Sequence, residues 1–227
     1  VKHGYRSVSS KSGSADVLEA LGIPLDLDPD RAVRQLEASN FTFLFAPAYN
    51  PAVAHVQPVR KGLGISTIFN TLGPLLSPGR PETQIMGIAN PAQGQLIAEV
   101  LKELGRSRAL VFHGAGTDEI AVHGTTQVWE LRDGTISHYE LTPEALGISR
   151  HGLSDLAGGN GEENAQALRD IFAGTGKPAH HDAIAAAAGA MFYLNGTSDS
   201  ISEGVSHASQ LIKDGTVAAW LTKHEEA

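Results

Sequence analysis

The segment from Lys2 to Asp16 concentrates groups that bind phosphate. Lys2, Arg6 and Lys11 supply positive charge, and Ser9, Ser10, Ser12 and Ser14 supply hydroxyl donors. Gly4 and Gly13 let backbone N–H groups approach a ligand closely. Gly13-Ser14 leads into a predicted helix, whose free N–H groups and positive dipole end attract an anion. A polar surface loop, with Ser14 doing no more than capping that helix, accounts for the same residues.

A second group, Gly116-Thr117-Asp118-Glu119-Ile120, follows an apolar run at 109–113. Ligands of parallel α/β sheets collect at the carboxyl ends of strands, and adjacent carboxylates there suit Mg²⁺, which shares its oxygen shell with phosphates and water. A solvated acidic turn is the plainer alternative. A third group is Pro58-Val59-Arg60, with Asn70-Thr71-Leu72-Gly73-Pro74-Leu75 after it. The Arg60 guanidinium can pair with a carboxylate of the protein or grip one belonging to a ligand. Gly73-Pro74 reads as a helix terminator. His180-His181-Asp182 falls at a predicted helix start, where capping explains the aspartate. The histidines show no metal-ligand spacing, and no serine sits in a nucleophile elbow.

The elements that must position these groups alternate. Residues 41–45, 84–89 and 109–113 are short apolar runs expected to form buried strands. Residues 14–21, 29–37, 51–63 and 91–104 carry helical patterns, several opening on proline. Residues 127–131, Asp133-Gly134 and 136–141 predict an antiparallel hairpin closed by a tight turn. Residues 142–146, 161–173, 179–194 and 200–213 are read as helical, the alanine-rich run at 183–194 being buried on several sides. The expected fold is α/β: a mainly parallel sheet flanked by helices, with one antiparallel hairpin, in one domain over 1–227.

Composition narrows the function. Hydrophobic residues make up 41% and charged residues 19%, ordinary for a globular domain. Cysteine is absent, which removes disulfides, thiolate metal sites and a cysteine nucleophile. The net charge of −8 comes without any basic block, so neither a nucleic acid nor an anionic membrane is an expected partner. No apolar run approaches the ~20 residues of a membrane span.

Taken in order, several stretches resemble the anthranilate phosphoribosyltransferase family, nearly end to end. Lys2-His3-Gly4-x-Arg6-x-x-Ser9-Ser10-x-x-Gly13-Ser14-Ala15-Asp16 is similar to that family's second substrate loop. Phe43-Leu44-Phe45-Ala46-Pro47, Pro58-Val59-Arg60, the Gly64 to Leu75 segment, Asp118-Glu119 and Gly158-Gly159 follow in the family order. The resemblance implies a nucleoside phosphorylase-like fold and Mg²⁺-dependent transfer of a phosphoribosyl group from phosphoribosyl pyrophosphate to anthranilate, in tryptophan biosynthesis. It assigns Lys2, His3, Gly4, Arg6, Ser9, Ser10 and Ser14 to the donor site, and Arg60 and Tyr5 to the anthranilate site. Asp118 and Glu119 become the metal carboxylates, and no single residue is assigned as catalytic base. A cytoplasmic, homodimeric parent enzyme is expected. A pyrimidine nucleoside phosphorylase, a noncatalytic nucleic-acid-binding relative and a subunit completed by another polypeptide are the alternatives.

The sequence also departs from that pattern. The family's first helical lobe, its Gly-Thr-Gly-Gly-Asp loop and its Asn-x-Ser-Thr segment are not among these residues, so the 227 residues alone are expected to turn over negligibly. Tyr5 stands where the family usually has asparagine, and Asn50 where it commonly has histidine. Both departures fall in the acceptor pocket that the resemblance implies.

Overall fold

A computed structural model describes residues 1–6, 11–25, 27–51, 62 and 68–225. The chain forms two compact units. One comprises Val1–Arg80, Gly158–Gln166 and Trp220–Ala227, and the other Pro81–Ala157 and Ala167–Ala219.

In the first unit the order is β1 (Lys2–Gly4), α1 (Ser14–Ala20), α2 (Pro29–Ser39), β2 (Phe43–Phe45), α3 (Ala46–Tyr49) and α4 (Phe69–Leu75). β1 and β2 pair in parallel, with Lys2 opposite Phe43 and Gly4 opposite Phe45. The Asp28 side chain accepts the Arg31 N–H at 2.8 Å and Pro29 supplies a preset first turn, so α2 starts where the pattern predicts. It ends at Asn40, in the left-handed region at φ 57°. Ala15, Leu25 and Phe43 are buried together, with Leu18, Phe41 and Phe45 packed against them. The Trp220 indole N–H donates to the Ser39 carbonyl at 3.1 Å and its ring meets Phe41 edge-on. Gly73-Pro74 lies inside the last turn of α4 rather than beyond it; Pro74 has no N–H to give that turn, and the helix ends one residue later, at Leu75. Most of the helix predicted at 51–63, along with Ser9, Ser10 and Arg60, lies outside the described residues.

In the second unit β3 (Thr83–Gly87) leads through a 3₁₀ turn into α5 (Gly94–Glu103), then β4 (Arg108–Gly114), β5 (Thr126–Arg132) and β6 (Thr135–Leu141). The sheet order is β3-β4-β5-β6. β3 and β4 are parallel, while β4–β5 and β5–β6 are antiparallel. Among the described residues, parallel and antiparallel pairings are therefore equal in number. Asp133 and Gly134 both have positive φ, 50° and 75°, the mirror-image turn that matches strand twist. The stretch read as helical at 142–146 forms a single 3₁₀ turn, Glu144–Leu146.

The chain closes with α6 (Gly161–Phe172), α7 (Pro178–Leu194), α8 (Ile201–Lys213) and α9 (Thr216–Glu225), the last unanticipated. Ala185, Ala186 and Ala190 of α7 and Val205 and Ala208 of α8 join Leu110, Phe112 and Val128 of the sheet in one core. α7 and α8 meet at Gly189 and Gly204, where an added methyl on either would overlap the backbone of the other helix. Asp182 is not a cap: α7 begins at Pro178, and the Asp182 carboxylate instead accepts from His151 Nε2 at 2.7 Å and His181 Nδ1 at 3.0 Å.

Candidate active site

The acidic pair belongs to the second unit and is seated by glycines. β3 ends at Gly87 and β4 at Gly114, adjacent parallel strands whose carboxyl ends lie side by side. A methyl group on Gly87 would overlap the carbonyl oxygen of Asp118, and one on Gly114 would overlap that of Glu119. The Asp118-Glu119 backbone is thus laid directly on the ends of both strands, at a distance only glycine permits. Both side chains are exposed.

The turn before them is braced from several directions. Gly114 and Thr117 exchange backbone hydrogen bonds, each 2.9 Å, and the Thr117 hydroxyl donates to the Gly114 carbonyl at 2.7 Å. Ala115 and Gly116 both have positive φ, 46° and 92°. Ala115 is strained there by about 1 kcal/mol, which the surrounding bonds sustain. The Ile88 carbonyl can only accept, so His113 Nδ1 carries the hydrogen it donates at 2.9 Å. His113 Nε2 then accepts the Gly116 N–H at 3.2 Å. His123 Nε2 reaches the Ala115 carbonyl at 3.2 Å. Sequence reading missed His113, Gly87 and Gly114. The one available signal was a glycine closing each apolar strand.

The first unit holds the β1 loop. Lys2 is exposed, and its backbone N–H donates to Thr42 O at 2.9 Å. His3 Nδ1 donates to the Gly73 carbonyl at 3.1 Å, and its Nε2 accepts from the Asn50 carboxamide at 3.2 Å. Both ring nitrogens are therefore engaged by the protein itself. Burial holds the His3 imidazole below its ordinary range; the charge of Lys2 adds to this, and the Gly73 carbonyl opposes it. Arg6 is paired with Glu19, donating from Nε at 3.1 Å and more closely from its terminal nitrogen. Its guanidinium also lies 5.1 Å from the centroid of the Phe45 ring. Tyr5 stacks on the same ring at 5.9 Å and 24°, and remains 40% exposed.

At α1 the N-cap is Gly13, not Ser14. The Asp16 carboxylate accepts the Gly13 N–H at 2.7 Å, so a carboxylate of the protein already takes one donor at this helix start. Ser14 is exposed in the first turn.

Among the described residues no three His, Cys, Asp or Glu side chains converge on a metal position. Two exposed carboxylates on a rigid backbone fit a hard cation that takes its remaining oxygens from substrate and water. Among the described residues, no helix is long and apolar enough to cross a membrane.

The family to which this α/β chain belongs is given by comparison with known proteins. Residues 1–218 match the glycosyl transferase family, a/b domain, and the chain belongs to that family. It is 89% identical over all 227 residues to an anthranilate phosphoribosyltransferase of Corynebacterium aurimucosum, and 72% identical to that of Corynebacterium glutamicum. It spans 66% and 65% of the lengths of those two relatives. Among solved structures, the anthranilate phosphoribosyltransferase of Thermus thermophilus superposes with a TM-score of 0.91 at 42% identity, covering 99% of this chain and 67% of that one. The Saccharomyces cerevisiae enzyme in complex with PRPP and Mg superposes at 0.88 and 27% identity, covering 99% and 63%.

Proposed function

We propose that the protein carrying this chain transfers a phosphoribosyl group from phosphoribosyl pyrophosphate to the amino group of anthranilate, with Mg²⁺. The observation that carries this reading is the glycine-seated Asp118-Glu119 pair, in a chain so similar to proteins that bear that name.

The chemistry asks for little acid–base work. Displacement at the ribose C1 develops oxocarbenium character and places charge on the departing pyrophosphate. A divalent cation held by Asp118 and Glu119 would supply Lewis-acid stabilisation of that charge. Lys2, Ser9, Ser10 and Ser14 bind donor oxygens, while His3, Gly4 and Arg6 set the shape of the loop that carries them. Arg60 takes the acceptor carboxylate through its planar fork. The aromatic amine of anthranilate is neutral at working pH, so positioning supplies most of the rate without a dedicated base.

The test is a coupled disappearance of anthranilate fluorescence and appearance of pyrophosphate with the full-length protein. The Asp118→Asn and Glu119→Gln variants should each lose about 100-fold or more in kcat/KM, with a raised Mg²⁺ requirement. Phosphate-dependent cleavage of uridine or thymidine, without anthranilate turnover, would overturn the reading in favour of a nucleoside phosphorylase.

A further inference from the structure

The peptide group between Ala115 and Gly116 is held on both of its polar sides by imidazoles. Its N–H donates to His113 Nε2 at 3.2 Å, and its carbonyl accepts from His123 Nε2 at 3.2 Å. A carbonyl can only accept, so His123 carries its hydrogen on Nε2, whereas His113, donating from Nδ1 to Ile88 O, leaves Nε2 bare. One amide is thus gripped by two rings in opposite tautomers. His123 Nδ1 is buried and meets no partner among the described residues, so the Ala115 carbonyl selects the tautomer of that ring. The amide is also the centre of a two-residue turn, in which Ala115 and Gly116 both take positive φ. Glycine does so freely, but Ala115 has to be kept there. Thr125 O accepts the Ala115 N–H at 3.0 Å, and a side chain on Gly124 would strike the Ala115 methyl. Residues 123–125 therefore hold Ala115 by its N–H, its methyl and its carbonyl.

We propose that His113 and His123 are positioning residues for divalent-cation binding, fixing the 115–116 amide and, through it, the loop that presents Asp118 and Glu119. The metal role rests on the phosphoribosyl-transfer reading above. The bond from His123 to Ala115 closes residues 115–123 into a loop, and both carboxylates lie within it. The bond from His113 to Ile88 O ties the same turn to the end of β3, one residue past the Gly87 on which the Asp118 carbonyl rests. Turning the amide over would break both imidazole bonds at once and loosen the loop at its root. Both His113 nitrogens and His123 Nε2 are engaged by backbone, so the rings act through the loop and not as ligands of the cation.

The full-length protein tests this with Mn²⁺ as the probe, followed by water-proton relaxation, with phosphoribosyl pyrophosphate present and anthranilate omitted so that no transfer occurs. His113→Phe and His123→Phe keep a ring and lose the hydrogen bonds, and each should weaken Mn²⁺ binding about tenfold or more. His113→Gln keeps an acceptor, and His123→Gln a donor, near the place of Nε2; both should stay within about twofold of the unsubstituted protein. Two further readouts need no metal. Long-range ¹H–¹⁵N spectra of the unsubstituted protein should show His113 protonated on Nδ1 and His123 on Nε2, assigned by comparison with the glutamine variants. Hydrogen exchange at the Gly116 amide should quicken about tenfold or more in His123→Phe, although the His123 ring bonds the carbonyl and not that nitrogen. Matching tautomers, phenylalanine variants with undiminished Mn²⁺ affinity, glutamine variants as weak as the phenylalanine ones, or Gly116 exchange indifferent to His123 would overturn the proposal. Where a phenylalanine variant does not fold, the tautomers of the unsubstituted protein and the Mn²⁺ affinities of the glutamine variants still decide. Absence of any anthranilate product from the unsubstituted protein removes the transfer reading, while the tautomers and exchange rates still decide whether the two rings clasp the amide.

Discussion

The carbonyl oxygen of Asp118 occupies the space that a side chain on Gly87 would need. One glycine at the end of β3 thus determines where the first carboxylate of the acidic pair can stand, because no other residue lets the backbone of that pair lie on the sheet.

Gly87→Ala is expected to displace the Asp118 segment and to cost about 1–3 kcal/mol through overpacking. Denaturant midpoints measure the stability loss. Mg²⁺ titration of turnover measures the displacement, and an unchanged half-saturating Mg²⁺ concentration would show that the seat does not control the carboxylates.

Asp182 joins two histidines from separate segments, with side-chain exposures of 14% for His151 and 22% for His181 against 17% for the aspartate. Asp182→Ala leaves two imidazole donors without an acceptor and should destabilise the fold by about 1–3 kcal/mol. His151→Ala, which leaves the His181 contact in place, should have the smaller effect in urea unfolding. Equal or reversed effects would mean the carboxylate is not the hub.

His3 makes folding sensitive to mild acid. An unfolded chain takes up a proton on an imidazole near pH ~6.5, whereas burial holds the folded group lower. Between those two values the unfolded state binds more protons, so this contribution to stability is complete above the unfolded value and declines as the pH falls below it. Comparing denaturation midpoints of the parent and His3→Gln across pH 5 to 8 isolates the effect. The variant should show the shallower acid slope, after allowance for the hydrogen bonds it loses at all pH values.

Alkali should act on a different cluster. The buried Glu130 carboxylate accepts from the Tyr139 hydroxyl at 2.8 Å and the Tyr193 hydroxyl at 2.7 Å. Burial first, and Glu130 second, push the Tyr139 phenol far above its ordinary range. Burial and Glu130 raise Tyr193 as well, against an opposing contribution from Arg132. Unfolded phenols ionise near pH ~10, so the stability from this cluster is present below that value and is lost as the pH rises through it. Tyrosinate absorbance should rise in a late phase coincident with unfolding, and Glu130→Gln should bring ionisation of both phenols to lower pH.

How much of this was legible in the residues depended on range. The Asp133-Gly134 hairpin and the helix start at Pro29 are written in neighbouring residues whose turn and first-turn chemistry is local, and the structure has both. The parallel–antiparallel balance of the sheet was less visible, because apolar runs such as 109–113 state burial but not the direction of a partner. β1 is three residues long, too short for a period to show, and α3 and α4 carry little pattern of their own. Asp182 was misread because its partner His151 lies thirty-one residues away. The adjacent carboxylates Asp118 and Glu119 stand together in the sequence itself, but their contact with Gly87 and Gly114 and the ties His3 makes to Asn50 and Gly73 exist only once the chain has folded.

The meeting of Gly189 with Gly204 has a consequence for anyone seeking a hardier version of this protein. Replacing glycine by alanine inside a helix ordinarily gains up to about 1 kcal/mol, because the unfolded chain loses freedom and the helix gains a better former. At these two positions the added methyl would strike the backbone of the neighbouring helix, so the same exchange would wedge α7 from α8 and weaken the core they share. The routine recipe for thermal hardening inverts its sign here, and a library built on it should keep both glycines.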